Sequence, residues 1–341
     1  MASYNTIKGL TVKYLSADPA NPEDGQVWYN STTGNLRVEG MVLAGSWASG
    51  GNMSTARYQL GGAGTQTAAL AIGGSPNGSS STSATEEYGG TAWTGGGSLP
   101  GAISYTAGCG TQTAGLQAGG ANIPAFASTT TNEYDGSSWT GGGALNTATG
   151  TTGQLMGSQT AGLITGGDIV PGVPRGIANV EEYNGTAWTA VTALPAVRQD
   201  QGTSGIQTAA LVFGGLQDTN PATPNTVLSS TLEYDGSSWT AGGSLPAARK
   251  NLGGSGTQTA SLGYGGNPGA TPTNVNITLD YNGTAWSVNP ATLVAGTQRA
   301  GYSTTAPSTA AIMFGGVNPS ITAATEEYNG PSTQIKNITT S

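Results

Sequence analysis

The chain has 341 residues, including 57 glycines and 17 prolines, with only 8% charged side chains and a formal net charge of −8. An acidic chain without any basic cluster disfavours nucleic acid or an anionic membrane as partner, and no apolar run nears the roughly 20 residues of a membrane-spanning helix. Histidine is absent and Cys109 is the single cysteine, which excludes an intrachain disulfide, imidazole-bound metal and thiolate clusters, so no cofactor is expected.

Residues 1–45 stand apart from the rest of the chain. Met1 to Thr6 lack the charged and apolar regions of an export signal. The turn-rich Asp18-Pro19-Ala20-Asn21-Pro22-Glu23-Asp24-Gly25 leads into two predicted strands, around Val27-Trp28-Tyr29 and Asn35-Leu36-Arg37-Val38. Ser31-Thr32-Thr33-Gly34 makes a four-residue hairpin loop between them. A two-stranded ribbon is marginal alone, so this extension is expected to dock on the rest of the chain or on another protein.

From residue 46 to 341 one pattern is written six times. A double glycine recurs at Gly73, Gly119, Gly166, Gly214, Gly265 and Gly315, each the first of its pair, at intervals of 46, 47, 48, 51 and 50 residues. A tyrosine comes after each pair, at Tyr88, Tyr134, Tyr183, Tyr234, Tyr281 and Tyr328, always with an acid before it. A period of roughly 40–50 residues built from strand-like units predicts a β-propeller with one repeat per blade. Each blade reads as four strands. The first starts near Arg57, Ile103, Gly150, Arg198, Arg249 or Arg299, in every case 16 residues before the first glycine, which implies two strands and a turn of constant length. The second, exemplified by Ala209-Ala210-Leu211-Val212-Phe213, is apolar on both faces, as a sheet between two neighbours requires.

The third and fourth strands meet at Tyr-Asn-Gly-Thr, Tyr-Asp-Gly-Ser or Tyr-Gly-Gly-Thr. These suit a two-residue type I′ hairpin, in which Tyr234 would face Ser237 and Leu232 would face Trp239. Tyr and Trp then share one face as inter-blade packing, and the acid before Tyr is expected to serve as a structural acceptor. Trp93, Trp139, Trp188, Trp239 and Trp286 come after five of the tyrosines, but none comes after Tyr328. Trp47 supplies the missing one, so the N-terminal strand is expected to complete the last of six blades and close the ring.

The double glycine, the Tyr, the Trp and then Leu245-Pro246-x-x-Arg249 resemble kelch repeats across about residues 42–330, with Ile103 and Gly150 departing from the arginine. The stretch from Asp18 to Gly34 resembles a segment of virion and tail proteins of bacteriophages, marine ones especially. Together these resemblances imply an all-β, six-bladed kelch-like propeller with an N-terminal attachment hairpin, carried in a virion and released by lysis. They also imply a structural, non-enzymatic tail-fibre, tail-associated or decoration protein. Its extension would meet other virion proteins and its propeller a host-surface glycan or protein; self-association is left open.

For the remaining polar residues, catalysis competes with packing. Galactose-oxidase-like copper chemistry lacks its imidazoles. A sialidase-like hydrolase could recruit Arg57, Arg198, Arg249 and Arg299 as a carboxylate clamp, but one repeat position for all four favours structure or channel lining. A free carbohydrate-binding propeller is the other alternative. The loops after the double glycine vary most, with 14, 14, 16, 19, 15 and 12 residues from second glycine to tyrosine. Insertions on one face of a repeat scaffold often mark its binding face. The widest loops, 168–180, 216–230 and 267–276, therefore nominate Gln217, Asp218 and Asn220 as hydrogen-bonding residues and Arg175 for an anionic group.

Overall fold

The computed structural model describes residues 12–20, 25–41, 45–122, 127–150, 155–169, 176–218, 225–269 and 274–338. These contain strands and no helix. The chain divides into two compact units, Trp47–Asn329 and the paired terminal segments Met1–Ser46 with Gly330–Ser341.

The terminal unit holds one four-stranded sheet, in the order Lys13–Leu15, Val27–Asn30, Asn35–Met41, Thr333–Asn337. Asn30 pairs with Asn35, so residues 31–34 form the expected four-residue loop. The ribbon is not left two-stranded: Lys13–Leu15 adds to it in parallel and Thr333–Asn337 in antiparallel fashion. Asp18 organises its middle. The carboxylate accepts from Trp28 Nε1 and Asn30 Nδ2 at 2.9 and 2.8 Å and pairs with Arg37. These hydrogen bonds, those of Asn30 and Trp28 foremost, hold the Asp18 carboxyl below its ordinary pKa.

The larger unit holds six four-stranded antiparallel sheets. Their first strands are Gly61–Thr65, Ala107–Thr111, Leu155–Ser158, Gly202–Ile206, Gly253–Thr257 and Gly301–Tyr302. The second strand of each runs back to the double glycine, the third ends at or just beyond the repeated tyrosine, and the fourth starts at or just before a tryptophan. In the sixth sheet the fourth strand is Ser46–Ser49, so Trp47 does take the place vacant after Tyr328.

Successive sheets meet through their first strands, and the first strand of the sixth also meets that of the first sheet. Glycine makes this approach possible. A Cβ on Gly62 would lie 2.3 Å from the Tyr302 carbonyl, and one on Gly254 would lie 2.3 Å from that of Thr203. Both residues of each double glycine have positive φ, a backbone that side chains with a Cβ rarely adopt. This turn presents a backbone N–H to the next sheet. Gly74, Gly120, Gly167, Gly215 and Gly266 donate to the carbonyls of Ile103, Thr149, Arg198, Arg249 and Thr297, and Gly316 donates to that of Arg57, all at 2.7–2.9 Å.

Three side-chain contacts repeat around the same cycle. The indole N–H groups of Trp93, Trp139, Trp188, Trp286 and Trp47 donate to Thr325, Thr85, Thr131, Thr231 and Thr278 of the preceding sheet at 2.8–2.9 Å. Trp239 departs from this, because Val180 stands where the other sheets have threonine, and it bonds the Thr192 carbonyl instead. The hydroxyls of Tyr134, Tyr183, Tyr234, Tyr281 and Tyr88 donate to Glu87, Glu133, Glu182, Glu233 and Glu327. At the remaining boundary Asn289 Nδ2 bridges Asp280 and Tyr328. The acid before tyrosine is thus the structural acceptor expected. The third contact had no sequence forecast. Gln66, Gln112, Gln159, Gln207 and Gln258, in the turn between first and second strands, donate to the carbonyls of Tyr328, Tyr88, Tyr134, Tyr183 and Tyr234 at 2.7–2.9 Å.

Two expectations are corrected. The hairpin at Tyr234 pairs Tyr234 with Trp239 and Leu232 with Ala241, leaving a four-residue loop over 235–238. A type I′ turn needs left-handed backbone at both central residues, but only Gly236 has it. Asp235 instead folds its carboxylate onto the N–H groups of Ser237 and Ser238 at 2.8 and 2.7 Å. Those bonds, Ser238 N–H first, push the Asp235 carboxyl far down in pKa. The pairing still places the rings of Tyr234 and Trp239 4.7 Å apart, a contact worth about 0.5–1.5 kcal/mol beyond area burial.

The second correction concerns the supposed constant length. In the sixth sheet Tyr302 pairs with Met313, so residues 303–312 lie between paired residues that elsewhere enclose a short turn. Thr149 and Thr297, not Gly150 and Arg299, carry the carbonyl that receives the glycine N–H. The longer sixth loop reaches the other sheets. Ser303 Oγ donates to Gly64 O, Thr304 Oγ1 to Leu155 O at 3.2 Å, and Thr305 Oγ1 to Gly110 O at 3.3 Å. Ser255 Oγ donates to Ser303 O at 2.7 Å. A single loop therefore touches first strands of the first, second, third and fifth sheets.

Candidate functional site

The loops after the double glycines and the chain entering each first strand lie side by side. Ser75, Ala121, Asp168, Leu216, Asn267 and Val317 bridge to Tyr58, Ser104, Gly150, Gln199, Lys250 and Gln298 respectively. Each of these loops therefore lies beside the chain that leads into the first strand of its own sheet. Gln217 sits there, in the short strand Leu216–Gln217, paired with Thr226. Asp218 comes next and is buried, its carbonyl against Gly176 of the third sheet's loop. Arg175 and Asn220 lie outside the described residues, so Gln217 and Asp218 are the nominated residues that the structure brings together. Asn274 Nδ2 donates to Val317 O at 2.5 Å, which links the loop of the fifth sheet to that of the sixth.

The arginines divide. Arg57 is fully buried, with Nη2 2.9 Å from Glu86 Oε1 and Nη1 2.9 Å from Ala84 O. Arg198 donates to Gly214 O, Ser230 O and Ser230 Oγ, and burial depresses its pKa to about 10. Both fasten the entering chain to their own sheet. Burial also depresses Arg249, whose Nη1 has no hydrogen-bond partner. Arg299 belongs to another set, two residues further along the repeat.

That set is Gln59, Tyr105, Asp200, Asn251 and Arg299, the only described non-glycine residues with positive φ. Each lies just before the first strand of its sheet; the counterpart in the third sheet falls outside the described residues. Adjacent members are tied through the backbone, Gln59 N–H to Arg299 O at 2.9 Å and Asn251 N–H to Asp200 O at 2.7 Å. Gln59 and Asn251 are 1% and 7% exposed, yet both amide atoms of each lack a hydrogen-bond partner among the described residues. Arg299 Nε is likewise buried and unpartnered. Tyr58 is raised in pKa, by burial first, then by Tyr105, with Arg299 opposing, which places the three within electrostatic reach. Tyr302, buried below, feels Asp200 and hydrogen-bonds Thr203. The sequence could not reveal this set, because five unlike residue types occupy it.

Other reactive groups are committed to packing. Cys109 is buried, its thiol raised far above the usual pKa by desolvation, with Sγ 3.7 Å from Ser158 O. Glu86, Glu181 and Glu326 accept backbone N–H groups of Ser54, of Asn146 and Thr147, and of Val294 and Ala295, pinning the entering chain to each sheet. Among the described residues no three His, Cys, Asp or Glu side chains come together as a metal site. Compared with protein-family models and with curated proteins, the chain matches none.

The inter-sheet tyrosines set an alkaline limit. Burial, together with the facing glutamate, pushes Tyr88, Tyr183, Tyr234 and Tyr281 up to about 12. The unfolded chain releases these protons near pH 10 while the folded chain holds them, so stability is complete below pH 10 and falls as pH rises towards 12. Alkaline titration should show tyrosinate absorbance and loss of strand dichroism in one step within that window. Ionisation of all thirteen tyrosines near pH 10 with the fold intact would contradict this.

Proposed function

We propose that Trp47–Asn329 is a six-bladed propeller of the kelch type, closed by the strand Ser46–Ser49. The support is cyclic order: glycine N–H, Trp and Tyr contacts each pass from sheet to sheet and return from the sixth to the first. We further propose that the protein is a non-enzymatic structural component of a bacteriophage virion, placing the loop end of the propeller against a host-surface glycan or a neighbouring virion protein.

The observation that best supports a binding rather than a catalytic role is the fate of the carboxylates. The acid before every repeated tyrosine is a packing acceptor, and Arg57 and Arg198 are spent on their own sheets. The Asp18-centred terminal sheet gives the phage-like segment a built core of its own, which suits an attachment module. Mass spectrometry of purified particles tests the reading. A stoichiometric amount of the chain is expected, and its absence would sink the virion assignment.

A further inference from the structure

We propose that the terminal sheet is a latch, in which pairing of Asn35–Met41 with Thr333–Asn337 holds the strand Ser46–Ser49 in the sixth sheet. The same two stretches of chain pair twice, once in each unit. Ser46–Ser49 lies beside Thr325–Asn329 as the fourth strand of the sixth sheet. Shortly before the first of these and shortly after the second, Met41 pairs with Thr333, Glu39 with Ile335 and Arg37 with Asn337. Ile338 N–H continues that ladder to Leu36 O at 2.8 Å. Each pairing, once made, keeps the strands of the other at high local concentration, so the two support one another.

The sixth sheet is where such support matters. Each of the other five sheets in the larger unit is built from one continuous run of chain, whereas this one recruits Ser46–Ser49 from ahead of the first sheet. The recruited strand is four residues long, and the first strand of this sheet has only two. Its boundary with the fifth sheet also departs from the repeat at two contacts. Asp280, shorter than the glutamate found elsewhere, is joined to Tyr328 only through Asn289. Burial raises the Asp280 carboxyl above its ordinary pKa, with Asn289 opposing, so the charge is incompletely compensated there. The turn that would carry the repeated glutamine, residues 303–312, contains none. Elements with fewer fixed contacts open locally before the whole fold does.

Hydrogen exchange of the full-length chain, read by mass spectrometry, tests the latch from both directions. Met41→Cys with Thr333→Cys places two thiols at paired backbone positions, and the one native cysteine, Cys109, is buried. Oxidation should slow exchange at Ser46–Ser49 and Thr325–Asn329 by about ten-fold relative to the reduced form, and leave Ala114–Ala118 and Ala161–Thr165 unchanged. Gln334→Pro with Lys336→Pro removes two backbone N–H groups from Thr333–Asn337. It should speed exchange at Asn35–Met41 and at both sixth-sheet strands together, with the second and third sheets still protected. Unchanged exchange at the sixth-sheet strands in either comparison overturns the proposal. Failure of the two thiols to couple overturns it as well, because the ladder is then not formed. So does a proline variant in which every sheet loses protection at once, since the terminal strand would then support the whole fold rather than this sheet.

Discussion

Removing residues 1–49 is expected to convert the protein into an aggregating species. The deletion takes the strand Ser46–Ser49 from the sixth sheet and bares the edge of Thr325–Asn329. Trp47 goes with it. Its ring packs 5.0 Å from Tyr264 and 5.4 Å from Tyr328, and its N–H bonds Thr278 at 2.8 Å. Trp47→Ala alone should cost about 3–5 kcal/mol. Light scattering and thermal melting of both variants test this. A deletion that remains monomeric with an unchanged melting temperature would show that the strand is dispensable.

The second large effect is expected at Arg57 and Glu86, a pair excluded from water. Removing one partner of such a pair typically costs about 3–5 kcal/mol, because the other charge is left buried. Arg57→Met should therefore destabilise strongly in chemical denaturation. Glu86→Gln should also do so, since Glu86 additionally accepts from Ser54 N–H and Oγ at 2.7 Å. The double variant Arg57→Met with Glu86→Gln should recover part of the loss. Strict additivity of the two single effects would mean that the charges do not couple.

Some of this architecture was open to reading from the residues alone. The spacing of double glycine, tyrosine and tryptophan marks second, third and fourth strands correctly, and the unmatched Trp47 correctly marks the fourth strand of the sixth sheet. The hairpin register failed for a definable reason. Asp-Gly serves both a two-residue type I′ turn and a longer loop capped by the Asp side chain, and only hydrogen bonding to Ser237 and Ser238 separates them. Arg299 misled because a longer loop within the sixth repeat, offset by a shift of the arginine, preserves the distance of 16 residues. The glutamine clasp was visible in principle as a repeated Thr-Gln-Thr or similar turn, but a polar turn residue carries no message until its neighbour is known. The left-handed residues ahead of the first strands are of that kind too. Gln59 and Asn251 become notable only through burial and φ, which the neighbouring sheets impose. Arg175 and Asn220 lie outside the described residues, while Gln217 pairs with Thr226 and Asp218 is buried.

The loop of the sixth sheet bears on how such a chain comes to be assembled. Ser303, Thr304 and Thr305 bond backbone of the first, third and second sheets, yet they are made after all of these. Trp47 likewise emerges early and finds Tyr328 only when nearly the whole unit has been made. Both fastenings depend on the same late stretch of polypeptide. On the ribosome, then, the first five sheets wait without these contacts, and both fastenings fall together once the sixth sheet's residues have emerged. A chain stalled before residue 303 would hold five assembled sheets without either lock.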